Sequence, residues 1–429
     1  MRYKQLPKEV YIENRAKFTK HLKPKSLAVF NSNDIYPTGS DSSLPFRQHG
    51  DILALSGVDQ EESILVIFPD AYKEEHREML FLKETNDHIA VWEGAKLDKK
   101  QAFELSGIKN VFWLQDFERI FNEVMSHAEN VYLNSNEHLR ANLDTETREA
   151  RFVKWCQNKY PAHEYSRCAP IMHQVRAIKT PGEIAAMQTA ADISVKGYKR
   201  VMKFMAHGKW EYELEAEFMH EFLRNRSRGF AYTPIIGGGY NACVLHYIEN
   251  NDQLRDGELV LFDVGAEYAN YSSDVTRCYP VNGRYTDRQK EVYSAVLRVK
   301  KASEKLLVPG NNLNDYHKEV GEIMTKELVD LKLISMEEVK NADPSWPAYK
   351  KYFMHGTSHY IGLDTHDAGL WTADMEPNMV FTCEPGIYIP EEKLGIRLED
   401  DLVVTENGLI NLTKEIPIEI EEIEDFMNS

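Results

Sequence analysis

Acidic residues at the ends of apolar, strand-like runs restrict the fold of this chain more than any other feature. In FDVGAEYANYSSDVTR, the apolar run Leu259–Phe262 leads directly into Asp263, and Asp274 lies in a second strand-like piece. Burying a carboxylate is strongly unfavourable unless it is paired or binds a metal. The chain must therefore bring positive charge to these strands.

The spacing of these two residues predicts a hairpin. If Glu267–Asn270 form a four-residue loop, antiparallel pairing places Asp263 directly opposite Asp274, with Cβ atoms about 5 Å apart. Like charges that face each other destabilise a sheet unless a cation lies between them. The alternative, that both are solvated residues of an outer face, is disfavoured by the apolar strands around them.

A second pair of apolar strands, MVFTCEPGIYI and GIRLEDDLVV, repeats the arrangement. With Pro390–Lys393 as the loop, residue 389 pairs with residue 394, and Glu384 falls opposite Glu399. The negative charges of these carboxylates predict two divalent cations, about 3.5–4 Å apart as in known hydrolytic sites. Oxygen-rich sites favour Mn or similar hard ions, and one His ligand leaves Mn, Co, Fe and Zn all possible.

Histidines cluster near these strands. His355, His359 and His366 lie within MHGTSHYIGLDTH, and His246 lies in the corresponding segment of the preceding half. A lone His is more often structural than a ligand, but this density beside glycines predicts at least one metal ligand. The spacing is not H-E-x-x-H, and no G-x-S-x-G occurs, which disfavours a zincin helix and a serine nucleophile.

Residues 1–172 alternate short apolar runs with charged, helix-like stretches, which predicts a smaller mixed α/β N-terminal domain. The predicted strands are SLAVF, ESILVIF, REMLFL, NVFWL and NVYL. A helix or connector, RFVKWCQNKYPAHEYSRC, follows them before Pro170. No catalytic constellation appears in this part of the chain.

Residues 173–429 repeat one scheme twice: helix, helix, strand segment, hairpin. Thr180 and Thr286 begin helices, each with Glu or Gln three residues later as in a capping box. Further helices are expected through Leu214–Phe222 and over 314–331, and strands in YTPIIGGGY and NACVLHYI. The pattern predicts one α+β domain with internal pseudo-symmetry, in which the two hairpins meet.

Composition excludes several classes of protein. Of 429 residues, 68 are acidic and 51 basic, so the net charge is −17 and few cations are free to neutralise phosphates. We therefore expect no nucleic-acid or anionic-membrane partner. The five cysteines are scattered, so we expect no disulfide framework. The N-terminus has no apolar core, so we expect no signal peptide and a cytoplasmic protein.

Several motifs together resemble those of a known family. FDVGAEYANYSSDVTR, HGTSHYIGLDTHD, TCEPGIY and GIRLEDD resemble the pita-bread metallopeptidases, which include methionine aminopeptidases, prolidases and Xaa-Pro aminopeptidases. Residues 41–68 resemble the N-terminal domain of the bacterial Xaa-Pro aminopeptidases (aminopeptidase P), to which the match is closest. The resemblance implies a pita-bread catalytic domain and covers nearly the whole chain.

The resemblance also implies a site. It has two divalent metal ions, usually Mn, with Asp274 and Glu399 bridging them. The implied ligands are Asp263, Asp274, His359, Glu384 and Glu399. Glu384 would also take the proton of a metal-bridging water, His246 and His366 would contact the substrate, and His355 and Arg397 would line the proline pocket, unless Arg397 braces the ligands.

The implied activity is release of an N-terminal residue that precedes proline. Two alternatives remain open: a prolidase acting on Xaa-Pro dipeptides, and an inactive pita-bread module that binds peptides. The element WEGAKLDKK matches the family's W-x-G-x-R only loosely, because Lys96 stands where Arg is common. In relatives, such a Trp from the N-terminal domain of one subunit can reach the active site of its neighbour. We therefore expect a homo-oligomer, dimer or tetramer, in which Trp92 makes this contact.

Overall fold

The computed structural model describes residues 3–141 and 144–429; the predicted N-terminal domain also includes residues 1–2 and 142–143, which lie outside the described residues. The chain forms two compact units. One is Gln5–Arg176, and the other is Ala177–Ser429 together with residues 3–4. Within the described residues, no helix combines the length and apolar character needed to cross a membrane.

The N-terminal unit is built on a six-stranded mixed sheet in the order β4-β3-β2-β1-β5-β6. Its strands are β1 Ser26–Asn31, β2 Ile64–Ile67, β3 Glu78–Leu82, β4 Asn110–Trp113, β5 Asn130–Leu133 and β6 Glu164–Arg167. Its helices are α1 Lys8–Thr19, α2 Gly50–Ser56, α3 Asp87–Glu93, α4 Lys99–Ser106, α5 Phe117–Met125, α6 Arg148–Lys159 and α7 Ala169–Ala177. All five predicted strands are confirmed. The sixth strand, β6, was not predicted, because it is polar and lacks the apolar run that marks the other five.

The second unit begins each of its halves with two helices. Its helices are α8 Pro181–Phe204, α9 Glu211–Arg224, α10 Asp287–Glu304, α11 Leu313–Asp330, α12 Met336–Asn341 and α13 Ile420–Asn428. The predicted starts at Thr180 and Thr286 are confirmed, because each residue caps its helix in a complete capping box.

Each half then adds a three-stranded sheet and a two-stranded hairpin. The first half has β7 Ile235–Gly238, β8 Leu259–Asp263, β9 Glu267–Tyr268, β10 Tyr271–Ser272 and β11 Thr276–Pro280. The second half has β12 Val380–Cys383, β13 Gly386–Ile389, β14 Leu394–Arg397, β15 Asp400–Thr405 and β16 Gly408–Asn411. The sheets are β11-β8-β7 and β12-β15-β16, and the hairpins are β9-β10 and β13-β14, so the predicted repetition is confirmed.

The predicted register of the first hairpin is wrong. Tyr268 pairs with Tyr271, which leaves the two-residue turn Ala269-Asn270, where both residues have positive φ. Asp263 consequently pairs with Thr276 rather than with Asp274. Because side chains alternate along a strand, this two-residue shift leaves both carboxylates on the same face.

The second hairpin follows its predicted register, since Ile389 pairs with Leu394. The segment NACVLHYI, in contrast, is not a strand. It begins in a 3₁₀ turn, Gly239–Cys243. A Cβ on Gly237 would lie 2.8 Å from the carbonyl carbon of Asn241, so this glycine allows the turn to fold back onto β7.

Candidate metal centre and active site

Three residues from three different elements form a buried cluster at the centre of the second unit. Asp274 precedes β11, His359 lies in an irregular segment, and Glu399 stands between β14 and β15. One potential ligand atom from each lies within 4.8 Å of those of the other two. All three residues are buried, which isolates their charges from bulk solvent.

Glu384 extends this cluster from the end of β12. Its Oε1 lies 3.7 Å from Nε2 of His359, which is itself 3.5 Å from Oδ2 of Asp274. The ring of His359 is oriented by its other nitrogen, because Nδ1–H donates to the carbonyl of Tyr360 at 2.9 Å. That bond leaves Nε2 unprotonated in the neutral ring and directed at the carboxylates, as a metal ligand requires.

Asp263 joins the cluster through a hydrogen-bonded chain. Tyr232 OH donates to its Oδ1 at 2.6 Å, and Arg397 Nη2 donates to its Oδ2 at 2.5 Å. Arg397 Nε also donates to Thr276 Oγ1 at 3.1 Å, and that hydroxyl donates to Glu399 Oε2 at 2.6 Å. Arg397 therefore bonds Asp263 directly and is linked to Glu399 through Thr276.

The electrostatics of the cluster call for added positive charge. Burial, and then the neighbouring Asp263, raise the pKa of Asp274 well above its usual range. Burial and the charge of Asp274 do the same for Glu399, and burial raises the pKa of Glu384 to about 7. Divalent ions would stabilise the ionised forms, so a buried, carboxylate-rich set with one oriented imidazole fits metal binding.

His355 has a fixed protonation pattern. Arg397 Nη1 donates to Tyr388 OH at 2.9 Å, and an arginine cannot accept a hydrogen bond. The Tyr388 hydroxyl proton is free to be donated, and Nε2 of neutral His355, 2.7 Å away, accepts it, because Nδ1–H of the same ring donates to the Gly356 carbonyl. The proton of neutral His355 is then on Nδ1, which lies 2.7 Å from the Gly356 carbonyl and 3.5 Å from Glu384 Oε2.

The two histidines expected to contact substrate have different surroundings. His366 is exposed, and its ring packs edge-on against that of His359, with centroids 4.5 Å apart. His246 is exposed in the turn that follows Gly239–Cys243, and in the described part of the chain it makes no hydrogen bond or ion pair.

Glu211, at the start of α9, anchors the segment that carries His246. This carboxylate is fully buried and accepts four hydrogen bonds. The donors are the Gly238 and Asp252 backbone N–H groups, the Asn241 amide and the Tyr247 hydroxyl, at 2.7–3.2 Å. The loop around His246 is therefore tied to the helix at both of its ends.

Several supporting residues were not identified from the sequence. Tyr232, Thr276 and Tyr388 each bond a predicted site residue, but nothing in their local patterns distinguishes them from other strand and loop residues. A signal did exist for Asp401, because the run Glu399–Asp401 places three acids in an apolar strand. Its Oδ2 accepts the Asp274 backbone N–H at 3.0 Å and so joins the two halves.

Comparisons with known proteins agree with this architecture. The model of metallopeptidase family M24 matches residues 185–406, and the model of the aminopeptidase P N-terminal domain matches residues 11–132. The Xaa-Pro aminopeptidases of Haemophilus influenzae and Escherichia coli are each 33% identical over 436 residues, covering 99% of this chain and 98% of theirs.

Solved structures give the same result. A putative aminopeptidase P from Bacillus anthracis superposes with a TM-score of 0.91 at 30% identity, and covers 99% of both chains. A low-pH form of aminopeptidase P from E. coli superposes with a TM-score of 0.88 at 31% identity, also over 99% of both chains.

Fold and site together define a metallopeptidase with the pita-bread fold, and the chain belongs to metallopeptidase family M24. Its N-terminal unit and its full-length relatives place it in the aminopeptidase P group of that family.

Proposed function

We propose that this protein is a metal-dependent aminopeptidase that hydrolyses the bond between an N-terminal residue and a following proline. One observation carries the proposal: Asp274, His359 and Glu399 converge in a buried cluster on an aminopeptidase P fold. The full-length similarity to Xaa-Pro aminopeptidases supports the substrate class.

We propose that two divalent ions, Mn in the cell, are held by the five residues first indicated by sequence. These are Asp263, Asp274, His359, Glu384 and Glu399. When bound, such ions polarise the scissile carbonyl and acidify water. The other groups that act in the reaction are side chains of the protein, which lie in the irregular segment around His359 and at the ends of the hairpins.

Glu384 is the proposed general base. Its side chain is half-buried, at 17% exposure, and a partly exposed carboxylate in this cluster can accept a proton from attacking water and return it. The proton taken from attacking water is needed by the leaving proline nitrogen. His355 lies beside this carboxylate, with Nδ1 3.5 Å from Glu384 Oε2 and its Nδ1–H donated to the Gly356 carbonyl, and it is the proposed wall of the proline pocket.

His366 and His246 are the proposed contacts with the reacting peptide. An imidazole N–H from His366, whose ring lies against that of His359, can stabilise the negative charge that develops on the carbonyl oxygen. His246 is accessible on its anchored turn and can contact the substrate from the other half of the domain.

The disposition of Arg397 supports an aminopeptidase over a prolidase. A prolidase must bind the carboxylate of its terminal proline, which calls for an available cation. Arg397 is buried and already bonds Asp263, Thr276 and Tyr388. Its guanidinium is thus committed to bracing, and the direction beyond proline can stay open for a longer peptide.

We also propose a cytoplasmic homo-oligomer, dimer or tetramer. The five cysteines are all free thiols, as in most proteins of reducing compartments. The side chains of Val91 and Trp92 are 78% and 80% exposed, which supports a contact between subunits at this helix.

The test compares matched peptides on one preparation with saturating Mn. We expect Xaa-Pro-Yaa tripeptides to be cleaved with higher kcat/KM than Xaa-Pro dipeptides, to release the first residue, and to outperform Xaa-Ala-Yaa. Chelation should abolish activity and Mn or Co should restore it, with close to two ions per chain. Exclusive cleavage of dipeptides would establish a prolidase instead, and activity after complete metal removal would overturn the mechanism.

A further inference from the structure

The loop that carries His366 has no regular secondary structure. Residues 361–370 form neither helix nor strand. Backbone hydrogen bonds hold the loop: Asp367 N–H donates to the Tyr360 carbonyl at 2.9 Å, and Ser272 N–H donates to the Gly362 carbonyl at 2.7 Å. The loop sets the backbone position of His366, whose exposed ring packs against that of His359.

An ion pair is buried beneath the loop. Lys179 Nζ lies 2.7 Å from Asp367 Oδ2, and both side chains are only 1% exposed. Lys179 lies just before α8, where its backbone N–H donates to the Asn378 carbonyl at 3.0 Å. The desolvation cost of such a pair offsets most of its attraction, so its presence is poorly explained by stability alone.

Gly362 allows the loop to close onto this pair. A Cβ at this position would lie 2.2 Å from Asp367 Oδ2 and 2.7 Å from Lys179 Nζ. Gly362 does not have a positive φ, so space rather than backbone conformation requires the glycine. The loop backbone and the ion pair are therefore packed directly together.

We propose that Lys179 and Asp367 are positioning residues for His366. Asp367 is buried and its neighbour His366 is exposed, so fixing the carboxylate inward holds the imidazole outward, against His359. The proposal rests on the proposed function in one respect, namely that His366 acts on the substrate during catalysis. His366 would stabilise charge that develops only in the transition state. Loss of the Lys179–Asp367 ion pair should therefore lower kcat and leave KM largely unchanged.

The kinetic test removes both charges at once, because an apolar pair of similar volume tends to preserve stability where a single change would leave a buried charge. In K179M/D367L, kcat on an Xaa-Pro-Yaa peptide should fall roughly 10-fold or more, with unchanged metal content. In an H366A background the same pair of changes should cost less than about twofold, because the residue they position is gone. Equal losses in both backgrounds, or no loss, would refute the proposal. R298M/E327L, which removes a more exposed ion pair between α10 and α11, is the control for removal of an ion pair elsewhere in the unit and should retain full kcat.

A second variant and a structural measurement protect the test against misfolding and against failure of the proposed function. G362A should crowd the ion pair and give the same selective loss of kcat, again absent in the H366A background. A crystal structure of either variant should show His366 displaced from its 4.5 Å contact with His359, and an unchanged contact would overturn the proposal. If the metal-loaded wild type cleaves no Xaa-Pro peptide, the proposed function fails, while the crystal structure still decides the role of the pair.

Discussion

Removing the metal ions should reverse the pH dependence of stability, and Glu384 is the group through which this can be measured. In the folded, metal-free protein burial raises the pKa of Glu384 from 4.5 to about 7. The folded state then binds the proton more tightly than the unfolded state, so stability is fully present below pH 4.5 and declines as the pH rises towards 7. A pKa difference of this size corresponds to about 3 kcal/mol for Glu384 alone.

The measurement is urea unfolding of metal-free wild type and E384Q between pH 4.5 and 8.5. The neutral amide cannot ionise, so the free energy of unfolding of E384Q relative to wild type should rise by about 3 kcal/mol across this range. In the metal-loaded wild type the trend should reverse, because ions bind the deprotonated ligands and bind more tightly as the pH rises.

A surface glutamate on the same hairpin is the control. The ion pair with Arg288 holds the pKa of Glu392 below its usual range, so its contribution to stability is fully present above pH 4.5, and the difference in stability between E392Q and wild type should stay constant from pH 4.5 to 8.5. If metal-free wild type is insensitive to pH over this range, or if E384Q keeps the full decline, the electrostatic account of the site is wrong.

Three further predictions follow from individual contacts. Asp274→Asn should lower the metal content, whereas His366→Ala should keep the metals and lose roughly 10²-fold in kcat, as for loss of an oxyanion donor; metal analysis and kinetics of both variants separate the two roles. Gly265→Ala should destabilise the protein by about 1–3 kcal/mol in thermal unfolding, because its Cβ would lie 1.7 Å from the Ser273 carbonyl oxygen. Burial raises the pKa of Glu149 to about 7, so wild-type stability should fall between pH 4.5 and 7 relative to Glu149→Gln, and a parallel pH profile for the two would contradict this.

Local signals in the sequence were sufficient for most elements of the fold. The capping boxes at Thr180 and Thr286 involve residues three apart, and five of the six strands of the N-terminal sheet coincide with apolar runs. Such patterns depend on near neighbours, and their structural consequences are correspondingly local.

The first hairpin shows where local reasoning fails. The turn requires positive φ at Ala269 and Asn270. Asn adopts this conformation more readily than most residues, but an Ala does not predict it. The error did not affect the predicted site, because a shift of two residues preserves the face on which Asp263 and Asp274 lie.

The supporting hydrogen bonds could not have been predicted in the same way. Tyr388 bonds His355 because an irregular segment and the β13-β14 hairpin, 33 residues apart in sequence, converge in the folded domain. Lys179 and Asp367, 188 positions apart in the sequence, likewise meet only in the folded domain. Neither the pleat of a strand nor the period of a helix encodes contacts of this kind.

The bonds that join the two halves also bear on how the protein folds. Asp274 N–H reaches Asp401 across 127 residues, and Thr276 reaches Glu399 across 123. Closing loops of this length is entropically costly and slow, so the two hairpins should dock late. Because each half supplies only part of the proposed ligand set, metal ions should bind tightly only after docking. They would then slow the unfolding of the native protein and do little to accelerate its folding.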